Sequence, residues 1–93
     1  MTYNLELTHN QRWASVDALR RLKEAVYSKR EKLAVEEVVQ NLMDYLPLLA
    51  NRKSLVFLDE NEIEYLWKAV TKYPKNKHHC EWVARKIKHE RNR

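Results

Sequence analysis

The sequence predicts an all-α fold, a small bundle of about four helices, and three observations carry that expectation. Apolar residues recur at helical spacing along most of the chain. Three capping boxes punctuate it, each just ahead of such a stretch. Glycine is absent, whereas ordinary composition would give about six in a chain this long. Without glycine, tight primed hairpins are disfavoured, and Walker A or Rossmann phosphate loops are excluded.

The elements follow in order. In "THNQ", Thr8 accepts from the Gln11 amide while the Gln11 side chain reaches back, which starts a helix predicted over 9–27. Its inward stripe is Leu19, Leu22 and Val26, with Ala14, Ala18 and Ala25 beside it; Trp13 then points elsewhere, near Val16, Arg20, Lys23 and Tyr27. "SKRE" offers the same cap with Ser28 and Glu31, ahead of a helix predicted over 30–50. Val35, Val38, Val39, Leu42, Met43, Leu46 and Leu49 lie on one face of it. Pro47 lacks an N–H and clashes with the preceding turn, so a kink or end is expected there. "YSKREK" contains no strong breaker, so whether these two helices are continuous stays open. "DENE", with Asp59 and Glu62, opens a helix over 60–73 whose inward residues are Ile63, Leu66, Trp67 and Val70. Pro74 closes it, and Asn76 caps a last helix over 77–90. "SLVFL" is the single run read as having β-character, and one strand has no partner. No internal repeat is read.

Ninety-three residues suit a single domain, 1–93, here with a basic C-terminal helix and tail. The composition, 44% hydrophobic and 33% charged, fits a globular chain better than a disordered one. One cysteine cannot form an internal disulfide, and "MTYNLELTHNQRW" has neither the charged nor the apolar region of a signal peptide. The apolar runs are far short of a membrane span. A cytoplasmic protein with no membrane contact is therefore expected.

Charge comes in blocks. Residues 72–93 hold eight basic and two acidic side chains, a net +6; residues 12–32 are +4 and residues 33–67 are −5. On the last helix Cys80, Val83, Ala84 and Ile87 form the buried side, which leaves Trp82 outward among His78, Arg85, Lys86 and His89. Two helices thus set a tryptophan among cations. Cations bind phosphates by releasing counterions, and a flat ring stacks on an unpaired base.

Other chemistries find less support. Metal ligands must converge from one face, whereas adjacent His78 and His79 splay and Cys80 turns to the core, so no metal and no cofactor is expected. No Ser–His–Asp order or paired-carboxylate pattern stands out, so no catalytic residue is assigned and no enzyme is expected. Glu60, Glu62 and Glu64 read as the acidic first turn of a helix.

The segment "DENEIEYLWKAVTKYPKNKHHCEWVARKI" resembles the first two helices of a Myb/SANT repeat in its acidic start, "AVTKYP" and "VARKI". Aligning "VARKI" puts Cys80 where that pattern has tryptophan, and the recognition helix of DNA-binding members has no counterpart. No residue role carries over.

The leading expectation is a non-enzymatic nucleic-acid-binding protein of weak sequence specificity. The first and last helices would share one basic surface, with Arg12, Arg20, Lys23, Lys77, His78, Arg85, Lys86, Lys88 and His89 for contacts and Trp13, Tyr27 and Trp82 to stack. The alternative is a small protein-interaction module, an inhibitor or adaptor of a larger enzyme, with the same Trp, Tyr and Arg side chains as hot spots on an acidic partner surface. A homodimer fits either.

Overall fold

The computed structural model describes residues 2–44 and 53–93. In chain order it has β1 (Thr2–Thr8), α1 (His9–Ala25), α2 (Lys29–Asp44), β2 (Lys53–Asp59), α3 (Glu60–Lys72) and α4 (Lys77–Arg91). The fold is therefore mostly helical, but not all-α. The four predicted helices form within a few residues of their expected bounds. The predicted kink at Pro47, the rest of that helix to residue 50, and Leu46 and Leu49 lie outside the described residues. Val26–Ser28 separate α1 from α2, with Val26 in an extended conformation (φ −91°, ψ 147°).

The caps explain where the helices start. Thr8 and Gln11 form both halves of a capping box, at 3.1 and 3.0 Å, and so do Asp59 and Glu62, at 2.8 and 3.0 Å. The Ser28 box is formed only by a 3.5 Å bond from the Glu31 amide. Asn76 caps α4 through the His79 amide. No described residue has a positive φ, which accords with a chain that lacks glycine.

The sheet corrects the all-α expectation. β1 and β2 pair antiparallel, from Thr2 opposite Asp59 to Thr8 opposite Lys53. The partner judged missing for "SLVFL" is "TYNLELT", at the other end of the sequence. Tyr3, Leu5 and Leu7 alternate with Thr2, Asn4 and Glu6, and Val56 and Leu58 alternate with Leu55, Phe57 and Asp59; the first set of each strand is buried. The pairing needs no hairpin turn, because two helices connect the strands.

A repeat also emerges that the residues themselves conceal. The chain is two β–α–α units in series, and a pseudo-two-fold axis relates them. Equivalent residues Leu5 and Val56 face each other at the centre of the ladder. The capping boxes of Thr8–Gln11 and Asp59–Glu62 correspond. So do the buried stripes Val35, Val38, Leu42 of α2 and Cys80, Val83, Ile87 of α4. The units interlock: α4 packs beside β1 and α2 beside β2. Lys86 Nζ reaches the Glu6 carbonyl (2.5 Å) and Gln11 Oε1 (2.8 Å). In the other half Asn41 Nδ2 does the same with the Phe57 carbonyl (3.0 Å) and Glu62 Oε2 (3.2 Å). Side chains at many equivalent positions differ (Arg12 and Ile63, Trp82 and Glu37), which hides the repeat from sequence comparison.

The core lies between the inner face of the sheet and the four helices. It holds Leu5, Leu7, Val16, Leu19, Leu42, Leu58, Ile63, Leu66 and Ile87, all at most 1% exposed. Val16, expected outside with Trp13, is buried, whereas Ala25 is exposed and Val26 half-buried.

Arg12 departs furthest from expectation. It is fully buried. Its guanidinium donates to the Leu42 carbonyl (2.5 Å), Ser54 Oγ (2.9 Å) and the Leu55 carbonyl (3.2 Å). It thereby ties α1 to the end of α2 and the start of β2, and cannot meet a phosphate. Burial lowers its pKa from the ordinary arginine range.

Candidate functional site

Side chains of the outer sheet face point away from the core. On β1 these are Thr2, Asn4 and Glu6; on β2 they are Lys53, Leu55, Phe57 and Asp59. Leu55 and Phe57 are 51% and 56% exposed, although sheets usually bury such residues. Period-two geometry forces this: placing Val56 and Leu58 in the core turns Leu55 and Phe57 to solvent.

α4 runs beside β1 and forms a groove with it of about 480 Å³. Asn4, Glu6, Lys53, Trp82, Arg85 and His89 are among its lining residues. Trp82 is 45% exposed, on the side of α4 away from Val83 and Ile87. The Arg85 guanidinium lies 5.1 Å from the centre of its ring, a cation–π stack that fixes both side chains. Asn4 and Glu6 are the cross-strand neighbours of Phe57 and Leu55. The groove and the apolar outer face of β2 are thus parts of one surface.

Lys86 sits at the floor of this groove, half-buried and tied to Glu6 and Gln11. Burial, and then the nearby Lys53, lower its pKa. Its bond to the outward Glu6 carbonyl also blunts the edge of β1. On the other edge Asn41 and Arg12 bond the Phe57 and Leu55 carbonyls.

The remaining predicted site residues scatter. Trp13 is half-buried and packed against the core, and its Nε1 donates to His9 Nε2 at 2.9 Å. Lys23 pairs with Glu36 of α2 at 3.0 Å, and hydrogen bonds from Gln40 and then from Lys23 lower the Glu36 pKa. Arg20 approaches Met43 Sδ of α2 at 3.8 Å. Tyr27 is 99% exposed between α1 and α2. Lys77 and His78 are exposed on the first turn of α4, and Lys88 lines a separate cleft with Trp67 and Arg91. The expected basic surface shared by α1 and α4 does not form, because Arg12 is buried while Arg20 and Lys23 turn toward α2. Sequence reasoning missed Lys53, Leu55 and Phe57; reading "TYNLELT" as the partner of "SLVFL" would have found them.

Cys80 is buried, its Sγ 3.7 Å from the Ala14 carbonyl, and burial raises its pKa. Among the described residues, no group of three His, Cys, Asp or Glu side chains is placed to hold a metal ion. No helix among them is long and apolar enough to cross a membrane. No family model, curated protein or solved structure matches this chain.

Proposed function

We propose that this chain is a non-enzymatic protein-interaction module whose docking face is the outer side of the β1–β2 ribbon with the groove beside α4. One observation carries the reading: three large side chains are each about half exposed, Trp82 in the groove on one side of β1 and Leu55 and Phe57 on the outer face of β2 on the other. Exposure of several large apolar side chains marks an interaction site, and Trp and Arg are the residues that dominate interface energetics. The expected cations count for less in this reading, since Arg12, Lys23 and Lys86 have partners within the chain. A cytoplasmic setting belongs to the same proposal, supported by the single unpaired cysteine.

Nucleic-acid binding is the second reading, favoured by the Arg85–Trp82 stack beside Lys53 and His89. Glu6 and Glu90 in the same groove oppose it by repelling phosphates. Two measurements separate the readings. Immobilised wild-type protein should retain a partner that Phe57→Ser loses, with circular dichroism showing that the variant folds. Random single- and double-stranded oligonucleotides should bind weakly even at low salt. The result that reverses the order is tight oligonucleotide binding whose salt slope flattens by roughly 0.7–0.9 per cation when Arg85 and Lys88 become alanine.

A further inference from the structure

We propose that the partner of this surface is a second copy of the same chain, bound face to face about a two-fold axis. This rests on the interaction reading above and names its partner. The argument starts from the pseudo-two-fold axis. It gives each strand a flanking helix, and it makes Trp82, Arg85 and His89 of α4 equivalent to Glu37, Gln40 and Asp44 of α2. Asn4 and Glu6 of β1 are likewise equivalent to Leu55 and Phe57 of β2. The fold is symmetric, but the chemistry is inverted. Beside β1 the flank on α4 is aromatic and carries Arg85 and His89, with Glu90 as its one carboxylate in the groove. Beside β2 the flank on α2 is acidic, and Glu36, Glu37, Asp44 and Glu62 line a groove there with Leu33, which is 67% exposed.

Across the surface the order is therefore cationic flank, polar strand, apolar strand, acidic flank. The charged flanks of this order are complementary under one kind of rotation. A two-fold axis lying in the plane of the sheet and parallel to the strands places α4 of each copy over α2 of the other. Cations then meet carboxylates twice, and Leu55 and Phe57 of each copy lie over β1 of the other. A two-fold axis perpendicular to the strands would set α4 on α4 and α2 on α2, like charge on like charge. Electrostatics thus selects one arrangement, and an isologous contact closes as a dimer. Stable interfaces take about 800 Å² per partner. That is about an eighth of the 6204 Å² surface of this chain, within reach of one broad face of a body measuring 35 × 27 × 23 Å.

The test is sedimentation over a range of protein and salt concentrations. Wild-type protein should be a dimer that dissociates on dilution, and more readily at high salt. The paired variant Arg85→Glu with His89→Glu should raise the dissociation constant at least tenfold, and so should Glu37→Lys with Asp44→Lys. An equimolar mixture of the two variants should recover a dimer, because each copy then offers the charge that the other lacks on both flanks. Circular dichroism checks that each variant folds. Wild-type protein that stays monomeric at low salt overturns the self-pairing. So does a dimer indifferent to both variants, or a mixture that grows beyond two copies. Self-pairing fails while the interaction reading stands if monomeric protein retains a partner that Phe57→Ser loses. Both fail if the monomer retains none or retains only oligonucleotides.

Discussion

Two residues show how position sets what a side chain does. Leu42 lies at the centre of the α2 stripe and is fully buried, so Leu42→Ala should cost about 2–5 kcal/mol, while exposed Glu37→Ala should change little. Urea denaturation of both variants checks this, and equal losses would mean that the faces of α2 are misassigned. Arg12 is the harder case. A cation on a helix beside tryptophan reads as a surface residue, yet three acceptors far along the chain hold it in the interior. Arg12→Ala would take a donor from the Leu42 and Leu55 carbonyls, and an unmet buried polar group costs about 1–3 kcal/mol. The variant should therefore lose at least about 2 kcal/mol in the same measurement. Unchanged stability would show that water replaces the guanidinium freely. The acceptors were not legible, because nothing in "NQRWA" reports that Leu42, Ser54 and Leu55 will surround it.

At the scale of elements, the helices were legible and the strands were not. A helix declares itself locally: its stripe recurs every three to four residues, and its capping box spans four. The Thr8 and Asp59 boxes form as expected, and Thr8→Ala and Asp59→Ala should each cost about 0.5–2 kcal/mol by thermal or urea denaturation. Ser28→Ala should cost the least of the three, since only the long Glu31 contact is lost. If Ser28→Ala proved the most costly, the weights given to these caps would be wrong. A strand is half of an object, and its hydrogen bonds depend on another segment. "SLVFL" showed β-character, but seven residues at the opposite end of the chain had to be recognised as its complement.

For the whole molecule, the interlocked packing makes a cooperative prediction. α2 packs beside the strand of the second unit and α4 beside the strand of the first, so neither β–α–α unit encloses its own core. A fragment of residues 1–44 and one of residues 53–93 should each show little helicity alone. Mixing them should restore the helical signal by circular dichroism. Fragments that each fold fully in isolation would refute the interlocking.

What the sequence alone determined was the number, order and approximate bounds of the helices, the inward stripe of α2, and the outward placement of Trp82. Each depends on interactions within four residues or on a single helical face. Tertiary structure alone decided the β-ribbon, the pseudo-two-fold axis and the burial of Arg12. Each of these joins residues far apart in the chain, and such contacts leave no local period to read. The candidate site changed for the same reason. Helical phase showed which side of α4 carried the cations, but only the pairing of β1 with β2 set an apolar sheet face beside them.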